Sequence, residues 1–116
     1  MNLEKYLNET IEIKIDRPLG SKHPKWNFTY PINYGYLPNT LNDDGEEIDA
    51  YVLSVEEPIS EFKGKCIAII HRINDNDDKL VIVPENKEEI KDEEIIKSTF
   101  FQEKYFKIKI IRKIKN

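Results

Sequence analysis

The sequence predicts a small, mainly β (α+β) fold, a barrel of short strands capped by one C-terminal helix. Three observations lead there. At 116 residues the chain buries enough surface for one modest core, so a single domain over 1–116 is expected. Short β-branched and apolar runs recur through its first three-quarters, and after Lys87 the apolar period changes from that of a strand to that of a helix.

Each element follows from local pattern. Ile11, Ile13 and Ile15 alternate with Glu12, Lys14 and Asp16, which reads as a half-buried strand ending at Pro18. Leu19 to Pro24 reads as a loop, and the aromatic segment through Tyr36-Leu37-Pro38, punctuated by Pro31 and Gly35, is not predicted as a strand. A second loop, Asn39 to Glu47, carries Asp43-Asp44-Gly45. Ile48 to Val55 and Lys65 to Ile73 read as strands, with Pro58 and Gly64 marking their connection. Leu80 to Pro84 is a third; the short polar run Asn74 to Asp78 before it predicts a hairpin whose tip is rich in oxygen ligands. Ile90, Ile95, Ile96, Phe100, Phe101 and Tyr105 fall near helical spacing, predicting a helix over roughly Asp92 to Phe106. The tail alternates Lys107, Ile108, Lys109 and Ile110, and reads either as a last strand that closes the sheet or as a frayed basic terminus.

Composition narrows the function classes. Apolar residues are spread along the whole chain, so it is expected to fold. No apolar run approaches the ~20 residues of a membrane span, and the N-terminus lacks the apolar core of a signal peptide. A lone cysteine, Cys66, rules out an internal disulfide and suits a buried small hydrophobe. A cytosolic protein is the expectation, which leaves the sequons at Asn8 and Asn27 without chemistry.

Charge is unevenly distributed. From Pro31 to Phe62 there is no Lys or Arg, while eight acids fall there, including Asp43, Asp44, Glu46, Glu47 and Asp49. Crowded carboxylates must protonate, face water or share a cation. In Asp44-Gly45-Glu46-Glu47-Ile48-Asp49, the glycine permits a sharp turn and the following strand aims alternate side chains one way, so acids on both sides can converge. Oxygen-only ligands suit hard cations such as Mg²⁺, and zinc is disfavoured for want of Cys and His. An isolated Asp-Asp-Gly is better read as a solvated turn. Here a second acidic tip, Asn74 to Asp78, weakens that reading. Asn74, Asn76, Asp78 and Glu85 have EF-hand spacing, but Lys79 stands where that loop needs glycine and a strand follows instead of a helix.

The segments TYPINYGYLPNTLNDDGEEIDAYVL, DKLVIVPE and FQEKYF occur in the order of successive motifs of the soluble inorganic pyrophosphatases, and the chain resembles that family from Thr29 to Phe106, as a shortened and divergent member. Its Asn33-Tyr34-Gly35 leads to Asp44-Gly45-Glu46-Glu47-Ile48-Asp49, where the family has an NYG segment leading to D-G-D-P-x-D. The resemblance implies an OB-like five-stranded barrel with a C-terminal helix, and Mg-dependent hydrolysis of pyrophosphate, with Mn²⁺ as the alternative metal. It implies Asp44, Asp49 and Asp77 as metal ligands, Glu46 as the group that orients or deprotonates the attacking water, and Lys79 and Tyr105 on the departing phosphate. Lys25 and Tyr34 match further pocket positions, Asp16 stands for an acid of the first strand, and Arg17 is a candidate phosphate ligand because its fork suits phosphate oxygens. Assembly into a homo-oligomer is a further implication.

There are departures from the family pattern. A hairpin bearing an acid and a phosphate-clamping arginine is mostly deleted. Phe106 stands where a lysine is expected after the pocket tyrosine, Glu46 and Glu47 replace an aspartate and a proline, and an acid expected early in the hairpin tip has no clear counterpart. Two lost cations point to a slow enzyme or one with a different substrate, since electrostatic stabilisation often supplies the largest catalytic term. The rival readings are another small diphosphate, such as a nucleotide, or a non-catalytic binding module. Tyr30, Tyr34 and Tyr36 offer rings for a nucleic-acid platform, but the surrounding acids would repel a phosphate backbone.

Overall fold

Alternation of side chains along each strand decides the architecture. A computed structural model describes residues 3–87 and 89–114. After a 3-10 turn at Glu4–Tyr6 come β1 (Thr10–Arg17), β2 (Asn33–Leu37), β3 (Ile48–Val52), β4 (Glu61–Arg72), β5 (Lys79–Val83), α1 (Asp92–Glu103) and β6 (Ile108–Ile111). The strands pair in the order β1-β2-β3-β5-β4-β6, and β1 also pairs with β4. Five strands thus close into a barrel, and closure removes the free edges that an open sheet would expose. The β4–β5 pair is the antiparallel hairpin predicted from the sequence. Among the described strand pairs, β3 and β5 alone run parallel.

Two differences from the sequence reading have physical causes. The fifth barrel strand is β2, the aromatic segment read as irregular. Gly35 does not interrupt that strand, because it is where β2 crosses closest to β1: a Cβ there would lie 1.9 Å from the Lys14 carbonyl oxygen. The tail forms β6, which pairs with β4 from Ile69 to Arg72 outside the closed ring, so closure falls to β1 and the first half of β4. Gly64 accordingly lies within β4, opposite Ile11, instead of in a connection.

The two faces of the barrel bury different residues. Ile11, Ile13 and Ile15 of β1 pack with Ile48, Ala50, Val52, Cys66, Ile69, Leu80 and Ile82 inside. The outer face of β3, β4 and β5 presents Tyr51, Ala68, Ile70, Val81 and Val83 to Ile95 of α1 and to Tyr30 and Tyr34. The inward side of α1 is Ile95, Thr99 and Glu103, spaced by four residues. Ile96, Phe100 and Tyr105, expected on the same stripe, are exposed instead. No helix among the described residues is long and apolar enough to cross a membrane.

Candidate active site

The same alternation puts charge on the outer face. Asp49 follows Ile48 and so faces away from the barrel interior, as does Lys79 before Leu80; the two are register partners across the parallel β3–β5 pair. Arg72 ends β4 on that face, two residues beyond Ile70. In β1 the pairing shifts between Ile15 and Arg17, leaving Asp16 as the extra residue of a bulge, which turns both Asp16 and Arg17 towards the same place. These groups line one cleft of about 650 Å³ with His23, Trp26, Phe28, Tyr30, Tyr34, Asp77, Gln102, Tyr105 and Phe106.

Lys79 is the hub of the cleft. Its side chain is 2% exposed, and Nζ donates to Asp49 Oδ2 at 2.8 Å, Asp77 Oδ2 at 2.7 Å and the Tyr34 hydroxyl at 2.8 Å. A buried ammonium has three donors to satisfy, and all three have acceptors here. Burial first, then the charge of Asp49, pushes the Tyr34 phenol well above its usual range, so it stays protonated. Burial also raises the Asp16 carboxyl. Asp77 Oδ1 is buried and has no hydrogen-bond partner among the described residues.

A second set of contacts backs the first. Arg72 Nε and Nη2 donate to the two oxygens of Glu103 at 2.9 and 2.7 Å, and Nη1 lies 3.3 Å from both Asp75 Oδ2 and Asp77 Oδ2. The Tyr51 hydroxyl donates to Glu103 Oε2 at 2.6 Å and accepts from Gln102 Nε2 at 2.7 Å. Burial opposes the charge on Arg72, but its hydrogen bonds to Glu103 and then the Asp77 charge outweigh that, and its pKa is raised. Within the hairpin tip, Asp78 is spent on structure: it accepts from the Arg72 backbone N–H and meets His71 Nδ1.

Residues 5–113 match the family model for inorganic pyrophosphatase. The chain belongs to the inorganic pyrophosphatase family. It is 39% identical over 62 residues to inorganic pyrophosphatase 1 of Pseudomonas syringae, covering 50% of this chain and 35% of that one. It is 32% identical over 95 residues to the Neisseria meningitidis inorganic pyrophosphatase, covering 64% and 53%. The chain therefore spans between a third and about half of the length of these relatives. Its fold is similar to the crystal structure of inorganic pyrophosphatase from Ehrlichia chaffeensis, with a TM-score of 0.70 at 17% identity, covering 91% of this chain and 87% of that one.

Membership of the pyrophosphatase family implies use of a divalent metal. Asp16, Asp49 and Asp77 offer only oxygen, and Asp77 Oδ1 has no hydrogen-bond partner among the described residues, so the donor chemistry fits a hard cation. In the conformation described, Lys79 holds one oxygen of Asp49 and one of Asp77. Among the described residues no three His, Cys, Asp or Glu side chains are gathered around a common point.

Of the residues singled out from the sequence, Asp49, Asp77, Lys79, Arg17, Tyr34, Tyr105 and Asp16 line the cleft; Asp44, Glu46 and Lys25 do not. Asp44 and Glu46 sit on an exposed turn at Gly45, whose φ is +85°, and Asp44 Oδ1 accepts the Glu46 backbone N–H at 2.9 Å. That turn is nonetheless tied to the hairpin tip, because the buried Asn42 donates through Nδ2 to the Asp78 carbonyl at 3.2 Å. Lys25 stands on the exposed loop over 22–29, where its backbone N–H is bonded to His23 Nδ1. Sequence reasoning missed Arg72, Glu103, Tyr51 and Gln102. The available signal was an arginine inside an apolar strand run and a glutamate two turns after Ile95, since buried charges occur paired.

Proposed function

We propose that this chain hydrolyses inorganic pyrophosphate to two phosphates with Mg²⁺ as cofactor and Mn²⁺ able to replace it. The observation that supports the reading best is Lys79, a buried ammonium held by Asp49, Asp77 and Tyr34 at the polar end of the cleft. Asp49 and Asp77 are assigned to the metal, together with Asp44 from the neighbouring turn. When bound, the metal would polarise phosphate oxygens and make water nucleophilic near neutral pH.

The chain's own groups then have separable tasks. Once Asp49 and Asp77 are engaged elsewhere, the Lys79 ammonium is released to donate to a phosphate oxygen and stabilise charge on the departing group. Tyr34, kept protonated, donates and does not compete as an anion. Tyr105, on the cleft wall, and Arg17, beside the β1 bulge, are assigned to the substrate's other oxygens, as is Lys25, which stands on the neighbouring loop outside the cleft lining. Glu46 is assigned to orient the attacking water or take its proton. The reaction is placed in the cytoplasm, where a free, buried Cys66 is at home.

Phosphate release from pyrophosphate with Mg²⁺ or Mn²⁺ is the test, with Asp49→Asn and Asp77→Asn as controls for contaminating enzyme. Activity in the unaltered chain, lost in both variants by about 100-fold or more, is expected. Absence of release with either metal, or equal release by the variants, overturns the reading.

A further inference from the structure

The cleft neutralises itself. Its lining carries three carboxylates, Asp16, Asp49 and Asp77, and three basic side chains, Arg17, Arg72 and Lys79. Lys79 sits on a flexible stem and can leave its partners when a stronger cation arrives. Arg72 cannot. Its Nε and Nη2 are both held by Glu103, which Tyr51 fixes in turn, and the Phe106 ring covers the guanidinium at 3.8 Å from its centroid. Its remaining nitrogen, Nη1, faces Asp75 and Asp77 equally at 3.3 Å. Asp77 Oδ2 is therefore shared by two protein cations, and Oδ1 alone is left for anything else. Phe106, at the position where the family resemblance implied a lysine, covers the charge supplied by Arg72.

We propose that Arg72 is a built-in counter-cation of the metal site: a positioning residue that fixes Asp77 with one oxygen free and occupies charge which Asp75 and Asp77 would otherwise offer to a further divalent ion. The inference rests on the cleft being the metal site proposed above. A fixed positive charge among carboxylates repels a divalent ion as well as competing for its ligands, so the cleft should hold fewer ions than its acids alone suggest.

Mn²⁺ binding to the full chain without substrate, followed by the electron paramagnetic resonance of the free ion, tests this. One ion per chain is expected in the unaltered protein, and two or more would overturn the proposal without any variant. In the doubly altered chain, Arg72→Gln with Glu103→Gln, the two buried charges are removed together and both positions stay polar. One further ion, or binding about tenfold tighter, is expected there, while Arg72→Lys, which keeps the charge, leaves the count at one. Unchanged or weaker binding in a folded double variant sinks the idea, because a merely structural arginine would never improve metal affinity on removal. Pyrophosphate hydrolysis with a Mn²⁺ count indifferent to Arg72 refutes this inference alone; no Mn²⁺ and no hydrolysis refutes the parent reading as well.

Discussion

Lys79 poses the sharpest energetic question at the scale of single residues. An ammonium that is 2% exposed would be intolerable alone, and two carboxylates 2.7 and 2.8 Å from it would repel one another without it. Lys79→Met therefore leaves an uncompensated pair, and a loss of about 3–5 kcal/mol is expected in metal-free urea titrations. Mg²⁺ at millimolar concentration should recover much of that loss, because a ligand that binds only the folded state stabilises it by mass action. A variant as stable as the parent without metal, or indifferent to Mg²⁺, would disprove the shared-cation picture. Glu103→Gln alone makes the complementary case: Arg72 would keep its charge but lose the charge opposite it and one of its two acceptors there, and a similar loss is expected that the added Arg72→Gln partly reverses. Asp49 was legible in the sequence because strand alternation fixes its direction, whereas Asp77 and Lys79 were reached only through the family resemblance. Arg72 and Glu103 were not legible, since local pattern marks each alone as a charge in an apolar setting but does not show that the two, 31 residues apart, are partners.

At the scale of elements, β2 shows where pattern reading fails and why. Its residues Asn33–Leu37 contain a glycine and follow a proline, both of which argue against a strand when only the local chain is considered. The glycine is required by a neighbour, the Lys14 carbonyl of β1, and not by its own turn. Gly35→Ala should consequently cost about 3 kcal/mol or more, enough to lower the melting temperature sharply or prevent folding. Gly45→Ala makes the contrast: nothing lies within 4 Å of the added carbon there, but its φ of +85° disfavours a side chain, and a loss of about 1–2 kcal/mol is expected. Equal melting temperatures for the two variants would contradict the close β1–β2 crossing. The helix tells a related story. Its existence was readable from the change of period, but its buried face includes Glu103 and omits Phe100, because Tyr51 and Arg72 offer the carboxylate partners that water would otherwise provide.

For the whole molecule, closure of the barrel and assembly of the cleft share a strand. The cleft draws Asp49 from β3, Lys79 from β5 and Arg72 from β4, neighbours in the sheet, and Asp16 from β1, the strand that closes the ring against β4. Cys66 lies at the centre of that ring, fully buried, and reports on it. Burial pushes its thiol up to about 12 from an ordinary value near 9. Between those values the folded chain holds a proton that the unfolded chain has released, so stability falls as pH rises through the window, by at most about 1.4 kcal/mol per pH unit from this group. Below pH 9 both states carry the proton and the group contributes no slope. Replacing the thiol by Cys66→Ala removes this contribution and leaves every other ionisable group in place. The two stability curves, measured by urea unfolding from pH 8 upward, should therefore converge as pH rises, the parent losing its advantage over the small cavity left by alanine. Parallel curves would mean that Cys66 is reachable by solvent in the folded chain, and with it that the ring formed by β1 and β4 opens without unfolding.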